Sequence, residues 1–163
     1  MSTGCSFSHI LLVVHFHLMP REIFVPAMQP GEVTSPSREI YALMGEANIY
    51  AMMAAFYDAL AVSTVRDLFP KEPHERLLAS QKSVLFFISL MGGPPRYQQA
   101  HGNPMMRARH MPFVIDQIAR DTWLTCFESI LDQAVERYNF PSHHMPGFRR
   151  FLKGFSMWMV NTK

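Results

Sequence analysis

The sequence predicts an all-α protein, and three of its features carry that expectation. Proline cannot sit in a helix interior without losing a backbone hydrogen bond and colliding with the preceding turn, so its positions divide the chain. The twelve prolines fall in 20–36, 70–73, 94–95, 104–112 and 141–146, which leaves proline-free windows at 37–69, 74–93, 113–140 and 147–163. Apolar residues inside these windows recur at three- and four-residue steps, the spacing of one helical face. Alternation at strand period is confined to part of the first 25 residues.

Each window supplies its own element. The first, interrupted by Gly45, reads as a short helix around 38–44 and a longer one around 47–62, with Ala54, Leu60 and Ala61 on its inner face. The second carries Leu77 and Leu78 and becomes apolar nearly all round from Val84 to Met91, which demands burial on both sides. Gly92-Gly93-Pro94-Pro95 stops it, because glycine permits a left-handed cap and proline forbids continuation. Ile115, Ile118, Thr122, Cys126, Phe127, Ile130 and Ala134 form the stripe of the third, with Pro112 placed as its first helical residue. Phe148, Phe151, Leu152, Phe155 and Met159 form that of the fourth.

Composition narrows the class. A chain of 163 residues, 48% hydrophobic and 17% charged, builds one domain with a real core and is not a generic disordered chain. The net charge of +2 without a basic block argues against nucleic acid as a partner. Ile10–Val14 is too short for a membrane span of roughly 20 residues, and the start lacks the basic charge of a signal peptide. Cys5 and Cys126 lie far apart and read as reduced thiols of a cytoplasmic protein. Residues 1–37, rich in Pro, Gly, Ser and Thr after 19, read as a poorly ordered extension in which Met19 and Met28 offer later starts; 38–163 is the folded domain. With 13 Met and 13 Phe, the interior is expected to be large and adaptable.

Among the eight histidines, His9, His15 and His17 fall in the extension, and His74 and His101 in polar loops. His143 and His144 are neighbours in a proline-bounded loop, read as an exposed turn because adjacent residues rarely converge on one ion. His110 is the best defined in position: it closes the segment Pro104–Arg109 and precedes Met111-Pro112-Phe113. Its surroundings alone allow either a histidine satisfied by a backbone carbonyl or a metal ligand.

Several motifs, taken together, resemble a truncated haemoglobin. They are Gly92-Gly93-Pro94-Pro95-Arg96-Tyr97, then Gly102 through Ile115, then Arg120-Asp121-Thr122-Trp123-Leu124, with Phe56-Tyr57 and Leu68-Phe69-Pro70 upstream. The tryptophan after Arg-Asp-Thr makes the chain most similar to group II. The likeness covers roughly 38–160. It departs at Asn103, where the family has Gly-His-Pro, and at Gly45-Glu46, where the family has a glycine pair; 1–37 has no counterpart.

The resemblance implies two helix pairs stacked two-over-two around haem b (protoporphyrin IX iron). His110 corresponds to the proximal iron ligand, its second ring nitrogen bonded to a backbone carbonyl. Tyr57 and Trp123 correspond to distal hydrogen-bond donors, with Ser83 as a weaker third. Ala79 stands where a distal histidine or glutamine could, which leaves the entry route open. Phe69 packs on the porphyrin face, and Lys82 and Tyr97 match positions that hold the propionates, with Arg107 and Arg109 as assistants. The implied function is binding of dioxygen, carbon monoxide or nitric oxide at five-coordinate ferrous iron with slow release. Nitric oxide dioxygenation or a peroxidase-like reaction would follow, supported by a reductase. The alternatives are a haem-based gas or redox sensor signalling to a partner protein, favoured by the unmatched residues 1–37, and a helical interaction module with no cofactor.

Overall fold

Four long helices carry the fold. The computed structural model describes residues 21–27 and 33–163, which form, in order, α1 (Ile40–Met44), α2 (Glu46–Ala61), α3 (Pro73–Leu90), α4 (Arg96–His101), α5 (Met106–His110), α6 (Gln117–Leu131), α7 (Ala134–Tyr138) and α8 (Met145–Met159). Short 3-10 turns at Arg66–Leu68 and Ser142–His144 complete the set, and the described residues contain no strand. Helix α2 packs on α3, α6 packs on α8, and α2 meets α6, so one pair lies across the other.

Local chemistry sets the helix ends, and in places it moves them from the predicted positions. Pro73 opens α3, where its missing N–H costs nothing. Pro112 does not open α6. Residues 111–113 form a turn, with the Phe113 N–H donating to the His110 carbonyl at 3.0 Å. The helix instead starts at Gln117, because the Asp116 side chain accepts the Ala119 N–H at 2.7 Å and caps it. The third window also holds two helices, α6 and α7, divided at Asp132-Gln133. Gly45, with φ of +81°, separates α1 from α2 without the partner glycine of the family pattern. Gly92, with φ of +101°, does more than stop α3. A Cβ there would lie 1.8 Å from the Arg38 carbonyl oxygen, so only glycine lets the end of α3 meet the segment entering α1. The Tyr41 N–H donates to the Met91 carbonyl at the same junction, 3.1 Å away.

All four long helices send rings to one place. Phe127 of α6, fully buried, lies 4.3 Å from Phe56 of α2, 5.7 Å from Phe87 of α3 and 6.0 Å from Phe148 of α8, centroid to centroid. Val84–Met91 is enclosed as predicted, with no exposed residue among them. Two predicted inner-face positions differ. Ala54 is exposed, the inner face of α2 being Ile49, Met52, Met53, Phe56 and Leu60. Ile118, in the first turn of α6, is 73% exposed because the stripe turns inward only after it.

The segment 21–27, expected to belong to a poorly ordered extension, is docked. The Phe24 N–H donates to the Asn161 carbonyl at 3.1 Å, and Pro26 is buried. The Arg21 guanidinium donates to the carbonyls of Met111 (2.8 Å) and Phe113 (2.9 Å). Arg107 extends the contact through the carbonyls of Phe24, Trp158 and Val160 and stacks 4.7 Å over the Trp158 ring. Residues 1–20 and 28–32, including His9, His15, His17 and Cys5, lie outside the described residues.

Phe127→Ala should remove the ring that the four helices share. A loss of about 3–5 kcal/mol is expected, the usual cost of deleting a buried phenylalanine; urea unfolding of the apoprotein measures it. A loss below about 1 kcal/mol would show that the helices do not depend on this ring.

Candidate functional site

Between the two helix pairs lies a cavity of about 780 Å³, within the range of small-molecule and cofactor pockets. Its walls are mostly apolar, supplied by Met53 and Phe56 of α2, Phe86 and Phe87 of α3, and Phe155 and Met159 of α8. Tyr57, Phe69, Ala79, Lys82, Ser83, Tyr97, His110 and Trp123, eight positions from six separate stretches of sequence, all line it.

His110 is the imidazole on its wall. It ends α5, a helix entered through Met105 in a left-handed conformation (φ +38°). Its Nδ1 lies 2.6 Å from the Met106 carbonyl oxygen, one turn back. A carbonyl can only accept, so the proton sits on Nδ1 and Nε2 keeps its lone pair. Burial pushes the imidazole below its ordinary pKa, and the Met106 carbonyl opposes this more weakly. The result is a neutral ring with a defined tautomer, the form that ligates a transition metal.

The backbone on both sides of α5 is held by three side chains. Asn161, fully buried, donates through Nδ2 to the carbonyls of His110 (3.2 Å) and Phe113 (3.1 Å) and accepts the Ile115 N–H on Oδ1 at 3.1 Å. Arg21 adds its two bonds to Met111 and Phe113. Arg109 ties the turn before α5 by donating to the carbonyls of His101, Asn103 and Pro104. Position 103 contributes through its backbone there, so asparagine in place of the family's histidine leaves this contact intact. Arg109 also lines the cavity, whereas Arg107 is turned to the C-terminal segment and is no part of its wall.

Polar hydrogen-bonding groups gather on another part of the wall. The Tyr57 hydroxyl and Ser83 Oγ are 2.5 Å apart. Burial raises the Tyr57 pKa and the Ser83 hydrogen bond lowers it less, so the phenol stays protonated and able to donate. Trp123 lines the same cavity and meets Phe56 edge-on at 5.4 Å. Phe69 meets Tyr57 edge-on at 5.9 Å, which fixes the phenol from its other side. Lys82 is exposed while lining the cavity and so stands at its rim, as do Asp67 and Glu75. Tyr97 is buried against Phe86, with the Arg109 guanidinium 6.0 Å above its ring. Arg120, held by Ser156 Oγ at 3.1 Å, is a second basic residue on the wall.

Sequence reasoning passed over Asn161 and Arg21. The one legible hint of Asn161 was a lone amide after the apolar run Met157–Val160. Arg21 offered none, since its partners are carbonyls about ninety positions away.

A helical sandwich that encloses an apolar cavity with one neutral imidazole on its wall defines a globin. The Bacterial-like globin model matches residues 39–160, and the chain belongs to that family as a truncated haemoglobin most similar to group II. The group 2 truncated hemoglobin YjbI of Bacillus subtilis is 34% identical over 93 residues, 56% of this chain and 68% of the relative. Among solved structures, phosphate-bound Hell's gate globin IV superposes with a TM-score of 0.73 at 32% identity, covering 80% of this chain and 79% of the other. The group II truncated hemoglobin of Bacillus anthracis gives 0.67 at 29%, covering 77% and 92%. No helix among the described residues is long and apolar enough to cross a membrane.

The lowered His110 pKa has a thermodynamic consequence. Below about pH 6.5, the unperturbed imidazole value, the unfolded chain takes up a proton that the native ring resists. The apoprotein should therefore lose stability as pH falls through that value, until the native ring also protonates. His110→Gln should flatten this slope relative to the unchanged protein in melts between pH 7.5 and 5. Identical slopes would mean that the native ring titrates normally.

Proposed function

We propose that the cavity holds haem b through His110 Nε2 and that the protein binds dioxygen with slow release. The residues suit the group: a neutral imidazole with a defined tautomer, apolar walls and basic residues at the wall and rim. When bound, haem b would supply a ferrous iron able to take a diatomic gas. In this reading His110 would be the sole protein ligand, its Nε2 kept free to ligate by the bond from Nδ1 to the Met106 carbonyl. Tyr57, Ser83 and Trp123 form the ligand-facing polar cluster, where O–H and N–H donors stabilise developing negative charge on a bound gas. Lys82 and Tyr97 receive the propionates, a cation and a phenol suited to carboxylates. Phe69 packs against the porphyrin, and the small Ala79 leaves the approach open.

The observation that carries the reading is the 2.5 Å contact between the Tyr57 hydroxyl and Ser83 Oγ in the cavity that His110 also lines. If Ser83 donates to the phenol oxygen, the phenol proton is free to face the gas. Carbon monoxide and nitric oxide fit the same position. Slow release suits reaction better than delivery, so oxidation of nitric oxide to nitrate by dioxygen, or a peroxidase-like reaction, is the favoured use. Repeated turnover in the cytoplasm, where we place the protein, calls for a reductase as partner.

Stopped-flow mixing of the oxygenated protein with nitric oxide tests the reaction, with fast and stoichiometric formation of nitrate expected. Slow or incomplete conversion would remove the dioxygenase reading. Tyr57→Phe should speed dioxygen release by about ten- to hundredfold, the equivalent of a charge-assisted hydrogen bond of about 1.5–3 kcal/mol; an unchanged rate would take Tyr57 out of the cluster. His110→Gly should lose haem or hold it only with added imidazole. Unaided retention would mean that another group ligates the iron.

A further inference from the structure

The described residues contain one group of three metal-ligating side chains, and it lies outside the cavity. Glu39, His143 and His144 place one ligand atom each within 4.8 Å of one another. None of them lines the cavity wall. The His144 Nε2 is 3.1 Å from Glu39 Oε2 and 3.4 Å from Ser37 Oγ. The rings of His143 and His144 are 4.1 Å apart, centroid to centroid. Two ligands on one zinc ion, each about 2.0–2.2 Å from it, lie roughly 3.0–3.5 Å from each other. His144 and Glu39 already stand at that separation, and the exposed His143 side chain has the freedom to close on them.

The sequence alone argued against this cluster, because neighbouring histidines seldom point the same way. Tertiary structure brings them to a third ligand more than a hundred positions away. Pro141 and Pro146 bound the turn, and the His144 N–H donates to the Pro141 carbonyl at 2.9 Å. Buried Phe140 and Phe148 anchor the turn on both sides, and buried Ile40 anchors Glu39. Asn139 Nδ2 donates to the Leu43 carbonyl at 3.3 Å and ties the two segments together. The backbones on both sides of the cluster are therefore fixed before any ion arrives.

We propose that Glu39, His143 and His144 form a binding site for a zinc-class divalent cation that ties the start of α1 to the start of α8. Two imidazoles and one carboxylate suit a borderline cation such as Zn²⁺, whereas Mg²⁺ and Ca²⁺ favour all-oxygen sets. The carboxylate also offsets the positive end of α8, which begins beside His144. Water completes the coordination on the exposed side. A cation that binds only the folded chain raises its stability.

Isothermal titration of the full-length protein with ZnCl₂ tests this, against E39Q, the double variant H143A/H144A, and H15A/H17A as a control for the other histidine pair. One ion per chain is expected. Affinity should fall at least about tenfold in E39Q and further in H143A/H144A, with H15A/H17A unchanged. Zinc should raise the melting temperature of the unchanged protein but not of H143A/H144A, and MgCl₂ should do neither. E39Q, nearly isosteric and at an exposed position, keeps the test sound if the double variant folds poorly. Zinc uptake that survives E39Q and H143A/H144A, or vanishes in H15A/H17A, would overturn the proposal. So would no uptake at all, which would leave Glu39 and His144 as a plain hydrogen-bonded pair.

Discussion

The bond from His110 Nδ1 to the Met106 carbonyl is the contact on which the site depends. It is short, local and set by the geometry of a single helical turn, and it decides which ring nitrogen keeps a lone pair. A histidine ending a five-residue helix would otherwise have little to hold its ring. The neighbouring tethers serve the same end at longer range: Asn161 and Arg21 take up carbonyls in residues 110–113 that would otherwise need water, and Arg109 does so for the turn before α5. The direction of the imidazole at the cavity is therefore set by backbone carbonyls and their donors rather than by packing alone.

The opposite requirement governs the rest of the cavity. A large apolar space inside a small domain forfeits packing contacts unless something fills it, and lining it with Met and Phe allows the walls to adjust. The aromatic web centred on Phe127 bounds that adjustment, since Phe56 and Trp123 belong both to the web and to the cavity wall. Phe56 thus transmits the rigidity of the core to Tyr57, the next residue in the chain. One consequence is that the polar cluster is positioned by the same residues that stabilise the fold.

Helix order, the apolar enclosure of 84–91 and the stop at Gly92 were legible in the sequence because each rests on local rules of proline, glycine and periodicity. The gathering of Tyr57, Ser83, Trp123 and His110 on one cavity was legible only through resemblance, since these positions share no spacing. Three features escaped. The start of α6 fell at Gln117 because the Asp116 side-chain cap outcompeted a well-placed proline. The docking of 21–27 escaped because its composition is that of a linker, while its hold comes from Arg21 and Arg107 reaching distant carbonyls. The His143–His144 turn looked inert because its third member, Glu39, lies more than a hundred positions away in the sequence.

The most direct measurement is reconstitution. Titrating the apoprotein with ferrous protoporphyrin IX under anaerobic conditions should give a sharp Soret band that saturates at one equivalent, a five-coordinate ferrous spectrum and a higher melting temperature. A titration with no saturation and an unchanged melt would show that His110 does not bind iron and that the cavity is not a haem site.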